Sequence, residues 1–259
     1  VKFEVPAIDI PRSFNVDNAA RIKKETGMLT MAVGRINAPK QADDIISSGK
    51  ADMVVMGRAQ IADAEFCVKA MEGREDDIVR CIACNQGCVD RYMLSTEFPH
   101  ISCLRNPTVG REVETRLVKT DTPKKVIIAG GGVGGMEAAI TLKQRGHQPI
   151  LCEKSDHLGG QFLLAGIAPR KQEMSDSAIS RAQQTIRSGV DVRLNVEVNA
   201  KLLENEKPDA VIIATGSIPN LIDVKGVEKD NVYNSYDVFS NRTPNEKSNV
   251  IVVGGGLVG

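Results

Sequence analysis

An apolar strand that runs straight into glycines at fixed offsets admits few folds. Residues 126–129, Val-Ile-Ile-Ala, lead into Gly130-Gly131-Gly132-Val133-Gly134-Gly135, with Ala139 four positions on. The run reads G-x-G-x-x-G at Gly130, Gly132 and Gly135. The first glycine of such a run permits a tight turn, and the second lets the backbone approach a pyrophosphate. The third lets the next helix pack closely on the strand, with its N-terminal amides facing the phosphates. A run of this kind also occurs as an ordinary glycine turn. Here Glu153 ends the next strand, eighteen residues past Gly135. A carboxylate there accepts hydrogen bonds from ribose hydroxyls. Strand, glycines, helix, strand and acid together predict an α/β, Rossmann-like dinucleotide-binding domain.

Two further stretches favour FAD over NAD as its ligand. Leu158-Gly159-Gly160-Gln161 follows soon after Glu153, and residues 210–216 form an apolar strand ending in Ala214-Thr215-Gly216. Both resemble the flavoprotein disulfide reductases, where the chain returns past the FAD; the alternative for the second is a strand that ends in a turn. A second glycine run, Gly254-Gly255-Gly256-Leu257-Val258-Gly259, follows an apolar stretch at 249–253 and lies 124 residues after the first. It sits where an NAD(P)-binding domain interrupts the FAD domain of those enzymes. The position that separates NADH from NADPH falls about twenty residues later, outside this chain.

The cysteines carry the most specific chemistry. Cys81, Cys84, Cys88 and Cys103 are spaced C-x2-C-x3-C-x14-C. Three thiolates on one short loop and a fourth from a later loop suit a [4Fe–4S] cluster. Structural zinc is the competing reading, although it usually takes two separated C-x2-C knuckles. Clustering of this kind points to a reduced, cytoplasmic compartment rather than to a disulfide scaffold. Cys67 and Cys152 stand apart and read as small buried hydrophobes.

Ahead of the cysteines the pattern is strand, helix, strand, helix: strands at 28–33 and 52–56, helices at 38–48 and about 62–72. Each strand ends in the same dipeptide, Gly34-Arg35 and Gly57-Arg58. Consecutive βα units with short loops belong to parallel sheets. In (β/α) barrels, loops after the last two strands often hold phosphate. The amides of Gly34 and Gly57 would cradle it, with charge-assisted bonds from Arg35 and Arg58. Either Gly-Arg alone is an ordinary turn.

Bulk properties exclude other classes. Thirty-three basic residues balance thirty-three acidic ones, so no basic field invites nucleic acid or an anionic membrane. No apolar run is long enough for a spanning helix. Tryptophan is absent and aromatics are only 3%, against stacking platforms for bases. A small-molecule substrate is the expected partner, and the oligomeric state is not encoded. The chain opens without methionine and stops inside a glycine run, so it is expected to be a piece of a longer enzyme, truncated at both ends and inactive by itself.

In combination these motifs resemble the family of bacterial 2,4-dienoyl-CoA reductase, trimethylamine dehydrogenase and the clostridial bile-acid and enoate NADH:flavin oxidoreductases. The resemblance rests on Asn37-Ala-Pro-Lys-Gln-Ala-Asp-Asp44, Ala51-Asp-Met-Val-Val-Met-Gly-Arg58, Cys81-Ile-Ala-Cys-Asn-Gln-Gly-Cys88, Asn106-Pro107 and Leu158-Gly-Gly-Gln-Phe162. It implies an old-yellow-enzyme-like barrel holding FMN, then a [4Fe–4S] cluster, then FAD and NAD(P)H domains. Electrons would pass from FAD through the cluster to FMN and on to an activated C=C bond in a dienoyl-CoA, enoate or steroid enone. Position by position, Arg35, Gly57 and Arg58 would hold FMN and the four cysteines would hold iron. Gly134, Glu153, Gln161, Arg170 and Val198 would contact FAD. The x14 gap before Cys103 exceeds the family's usual x11 or x12, which makes Cys103 the loosest match. None of His100, His147 and His157 matches the family's substrate-side residues, so no catalytic acid is assigned; His157 is expected to cap a turn.

The expected organisation is therefore the C-terminal βα units of a TIM barrel at 1–80 and an irregular iron–sulfur segment at 81–111. A linker at 112–125, a FAD-binding domain at 126–248 and the start of an NAD(P)-binding domain at 249–259 follow. Two other readings stay open: an amine dehydrogenase or demethylase of the same family, and an FAD/Fe–S electron-transfer subunit. The paired Gly-Arg units count against the second.

Overall fold

The computed structural model describes residues 4–94, 101–240, 242–244 and 248–255. Residues 1–3, His100 and the end of the second glycine run, 256–259, lie outside them. The chain divides into two units, residues 1–122 with 144–146, and residues 123–143 with 147–259.

The first unit opens on helix α1 (Val16–Thr26), which ends where Gly27 turns left-handed at φ 65°. Sequence reading gives no helix here, because α1 buries only Val16 and Ala19 and so carries a thin apolar stripe. Strand β1 (Met31–Val33), helix α2 (Pro39–Ser47) and strand β2 (Met53–Val55) follow. The strands pair in parallel, Met31 with Met53 and Val33 with Val55. They are shorter than the expected 28–33 and 52–56, since Met28 and Leu29 are exposed and unpaired in this ladder. Ala32 is fully buried against Val16, Ile36, Ile45 and Ala51.

The single helix expected at about 62–72 is instead two, α3 (Gly57–Ala62) and α4 (Phe66–Met71). Asp63 separates them. Its carboxylate accepts the amides of Glu65 (3.0 Å) and Val79 (2.8 Å) and pairs with Lys69 Nζ at 2.8 Å. A short acidic side chain that satisfies nearby amides in this way competes with the helix ladder. Cys67, on α4, is exposed rather than buried, with Gln60 donating to its sulfur at 3.2 Å. The apolar positions of α4 are filled instead by Phe66, packed with Ala59 and Ile78. The cysteine segment continues through a wide turn at Gln86–Asp90 into a one-turn helix α5 (Arg91–Leu94).

The second unit is a four-stranded parallel sheet. Its strands are β3 (Lys125–Ala129), β4 (Gln148–Glu153), β5 (Asp191–Leu194) and β6 (Ala210–Ile213), in the spatial order β5-β4-β3-β6. Helices α6 (Val133–Gln144), α7 (Gln161–Ala165), α8 (Gln172–Arg187), α9 (Ala200–Glu206) and α10 (Ser235–Phe239) complete it. Alternating side chains serve two faces. Ile128 and Leu151 pack on Met136, Ala139 and Val190, while Ile127, Ile150 and Cys152 pack on Val196, Val198, Leu202 and Leu203. Cys152 is buried, as its strand position predicts.

The apolar stretch at 249–253 forms no strand and is exposed. A strand exists by pairing, and no described residue pairs with it, so a third βα unit does not form among the described residues.

Candidate functional sites

Two sites occupy the first unit. A cavity of about 790 Å³ lies beyond the ends of β1 and β2 and is lined by Gly34, Arg35, Asn37, Gly57, Arg58 and Cys81, among others. Gly34, at φ 133°, packs so tightly that a Cβ would stand 2.9 Å from the Phe14 ring. Gly57, by contrast, has open space where a Cβ would be, on the cavity wall. The predicted arginines are both present but not bare. Arg35 is buried in a left-handed conformation and gives its Nη1 to the carbonyls of Ile8 (2.8 Å) and Ile10. Arg58 Nη1 donates to the Pro6 carbonyl at 2.8 Å and to Asn85 Oδ1 at 2.5 Å. Asn37 is only 4% exposed; its Nδ2 donates to the Cys81 carbonyl at 2.6 Å, and its Oδ1 has no hydrogen-bond partner among the described residues. A buried orphan acceptor on a cavity wall suits a ligand hydroxyl or an ordered water.

Arg58 also lines a second, smaller cavity, together with Cys81, Cys84, Cys88 and Cys103. The four predicted cysteines thus face one space. Among the described residues no three metal-ligating side chains stand close enough to share a single ion. Ala83 and Asn85 are left-handed, at φ 52° and 62°. Alternation of this kind turns successive amides toward one concavity. The Ala83 amide points at Cys81 Sγ (3.3 Å), and the Arg105 amide at Cys103 Sγ (3.4 Å). Burial pushes the Cys81 thiol up, opposed by the Ala83 amide and the Arg58 charge. Burial likewise raises Cys84, opposed by the Gln86 amide. The later loop reaches the site because Gly87 lets it: the Ser102 amide bonds the Gly87 carbonyl at 2.8 Å.

In the second unit three segments converge on the glycine run. Gly130 and Gly135 are there for the chain's own packing: a Cβ on Gly130 would meet the Ala214 carbonyl oxygen at 2.3 Å, and one on Gly135 the Gly130 oxygen at 1.9 Å. Gly132 and Gly134 meet nothing within 4 Å, so the chain itself gives no reason for them. Open space beside the first amides of a helix is of the kind that can take a ligand phosphate. Glu153 supports the run from below, accepting the Gly131 amide at 2.6 Å and the Ser155 amide at 2.9 Å. Burial raises its pKa, but the Ser155 and Gly131 amides, with the Ser155 hydroxyl and the Lys154 charge, together hold the carboxyl below its ordinary value. The Gly131 carbonyl in turn accepts the Gly159 amide at 2.9 Å. Gln161, at the start of α7, joins the turn after β6, its Nε2 donating to the Ser217 carbonyl and its Oε1 accepting from Ser217 Oγ at 3.3 Å. Thr215 and Gly216 lie in that turn, with Gly216 left-handed at φ 77°.

Other predicted residues lie differently. Val198 has its side chain packed against the sheet face of Ile127 and Ile150. Arg170 is exposed and left-handed, at φ 64°, in the turn between α7 and α8. His157 is exposed and bonds its neighbour Asp156 at 2.6 Å, and His147 accepts the Lys124 amide at 3.2 Å. Sequence reasoning gave no role to Asn37, Asn85 or Gly87, whose importance lies in contacts with distant residues.

Comparison with known proteins agrees with this partition. Residues 124–259 match the pyridine nucleotide-disulphide oxidoreductase family, and residues 8–77 match the NADH:flavin oxidoreductase / NADH oxidase family. The chain is 41% identical over 245 residues to an NADH oxidase of Thermoanaerobacter brockii, covering 93% of this chain and 37% of that protein. It is 38% identical over 240 residues to a cinnamate reductase of Clostridium sporogenes, covering 92% and 35%. Among solved structures, a 2-naphthoyl-CoA reductase complex superposes with a TM-score of 0.84 at 30% identity, covering 92% of this chain and 36% of that one. The chain thus spans a little over a third of the length of the relatives it matches. No helix among the described residues is long and apolar enough to cross a membrane.

Proposed function

Because the chain belongs to the pyridine nucleotide-disulphide oxidoreductase family, with an NADH:flavin oxidoreductase segment ahead of that match, we propose that it forms the electron-relay portion of an NAD(P)H-dependent flavin enzyme reducing an activated C=C bond. In this reading residues 1–80 end a TIM barrel that holds FMN, 81–111 hold a [4Fe–4S] cluster, and 126–248 form a Rossmann-like FAD domain. The order β5-β4-β3-β6 supports the last assignment, matching the 3-2-1-4 part of a doubly wound sheet, one three-stranded half with the next strand beyond the switch point. When bound, FAD, the cluster and FMN supply a route for reducing equivalents from NAD(P)H to substrate.

The residues have these tasks. The amides beside Gly132 and Gly134 hold a pyrophosphate, and Glu153, kept ionised, fixes the glycine run and retains lone pairs for ribose hydroxyls. Gln161, Thr215 and Gly216 close another side of the FAD site, while Val198 supports the sheet from its packed face and Arg170 reaches FAD from the turn between α7 and α8. Gly57 and Arg58 take the FMN phosphate, with Arg35 shaping the loop through its bonds to Ile8 and Ile10. Asn37 Oδ1 offers an acceptor to a flavin side-chain hydroxyl. Cys81, Cys84, Cys88 and Cys103 bind iron as thiolates, and a cluster that spreads its ligands over four irons suits sulfurs that share a cavity without converging on one ion. Amide-to-sulfur bonds at Cys81 and Cys103 stabilise the anionic form. No residue of this chain is assigned as the catalytic acid.

The single observation that carries the reading is that all four cysteines line one cavity, and that this cavity shares Arg58 with the larger one. Iron, sulfide, FMN and FAD measured together on the anaerobically purified full-length protein test it. About four iron with one of each flavin is expected; zinc without flavin overturns it. NADH consumption with an enoate, set against flavin bleaching by a methylamine, separates the reductase from the amine dehydrogenase.

A further inference from the structure

Resting on that reading, we propose that Arg58 and Asn85 couple the two cavities, so that flavin phosphate in one stabilises the cluster in the other. Arg58 lines both spaces and follows Gly57 in the second phosphate loop. One nitrogen, Nη1, is turned to the cysteine side, where it bonds Asn85 Oδ1 at 2.5 Å. A guanidinium carries three further N–H donors on Nε and Nη2, arranged as a rigid fork that suits phosphate. One planar group is therefore placed to serve an anion and the cysteine turn together.

Asn85 is the cysteine side of the link. It lies between Cys84 and Cys88, lines the cluster cavity and does not line the flavin cavity. Its backbone is left-handed, at φ 62°, a conformation that most side chains resist. Its Nδ2 donates to the Val5 carbonyl at 3.2 Å, while Arg58 bonds the neighbouring Pro6 carbonyl. Val5 and Pro6 line the flavin cavity, so the pair clamps that wall as well. The first phosphate loop makes a parallel connection, Asn37 to the Cys81 carbonyl. Each βα loop thus reaches the cysteine segment through one buried or half-buried hydrogen bond. Coupling between two sites is reciprocal: what tightens FMN in the presence of the cluster must tighten the cluster in the presence of FMN.

The test uses the full-length holoprotein under anaerobic conditions. The rate of iron loss to a ferrous chelator is followed with FMN bound and after FMN is stripped, and FMN affinity is taken from flavin fluorescence. Wild type is expected to lose iron about tenfold more slowly with FMN, the size of one hydrogen bond to a charged group. Asn85→Gly keeps the left-handed backbone, deletes the acceptor of Arg58 together with the Nδ2 bond to Val5, and substitutes no residue of the flavin cavity lining. It is expected to reduce the FMN dependence of iron loss markedly, the Asn37 bond to the Cys81 carbonyl carrying what remains, and to weaken FMN about tenfold. Unchanged affinity and unchanged FMN dependence in Asn85→Gly overturn the link. Should that variant not fold, Asn85→Asp decides in the same assay: it keeps an oxygen for Arg58, and loss of FMN dependence there overturns the link too. Wild-type protein that carries neither iron nor flavin sinks the functional reading, whereas a fully loaded wild type with no FMN dependence sinks the link alone.

Discussion

The carbonyl oxygen of Gly87 accepts the Ser102 amide at 2.8 Å, and a methyl group on Gly87 would stand only 2.6 Å from the Ser102 oxygen. The fourth cysteine, next in the chain after Ser102, is therefore delivered by a backbone approach that only glycine allows. Gly87→Ala should force the two loops apart at a cost of about 1–3 kcal/mol. Iron and sulfide per chain should fall well below wild type, while FAD content stays unchanged. Full iron content in this variant would refute the placement of Cys103.

Two neighbouring glycines should respond in opposite ways. Gly135→Ala collides with the Gly130 oxygen, backbone against backbone, and should destabilise the sheet unit by about 3 kcal/mol. Gly134→Ala lies in α6 with open space around it and should be near neutral or stabilising by up to about 1 kcal/mol. It should nevertheless lose FAD, because the methyl fills the cradle. Urea denaturation and flavin fluorescence, run on both variants, separate the two effects.

Acid should weaken the second unit in a defined window. Glu206 is bonded first by Lys125 and then by Arg193, which hold its carboxyl at about 2 rather than at its ordinary 4.5. A depressed carboxyl contributes stability that is present above about pH 4.5 and is lost as pH falls toward about 2. Glu206→Gln should be less stable than wild type at pH 7, with the gap shrinking between pH 4.5 and pH 2. Urea midpoints across that range measure it, and a gap independent of pH would contradict the assignment.

Asp63 offers a test of the first unit. Its carboxylate is 4% exposed and holds Lys69, itself 13% exposed, at 2.8 Å. Removing that carboxylate leaves Lys69 only the longer contact to the exposed Glu65 at 3.8 Å and orphans the Val79 amide, so Asp63→Ala should cost about 3 kcal/mol. Thermal denaturation of the first unit reads this directly, and a loss under about 1 kcal/mol would mean that Lys69 finds water.

The parts that were legible in the sequence are those with short-range signals. Strand β3 lies within a residue of its expected 126–129, a β-branched run that leads straight into glycine, whereas β6 stops at Ile213, short of the expected 210–216, because the chain then turns away from the ladder. The cysteine spacing pointed to four sulfurs round one cluster; the four side chains line one cavity, and among the described residues no three of them stand close enough to share one ion. Helix α1 stayed hidden behind its two buried residues, and Asp63 split a helix that apolar spacing alone would have continued. Cys67 shows the weakness of judging burial from helical position when Phe66 takes the inward place. Asn37 and Asn85 were illegible for another reason: their partners Cys81 and Arg58 lie 44 and 27 residues away, and nothing local marks them.

The position of β6 sets a timetable for biogenesis. Gly130 packs on the carbonyl of Ala214, and Gln161 is tied to Ser217, so the proposed flavin pocket stays one-sided until the strand at 210–213 has docked beside β3. That pairing spans more than eighty residues, the kind of long-range closure that comes late and slowly. In the proposed reading, capture of a dinucleotide follows assembly of the whole sheet, and a nascent chain stalled before Ala210 would display its glycine loop without being able to retain the ligand.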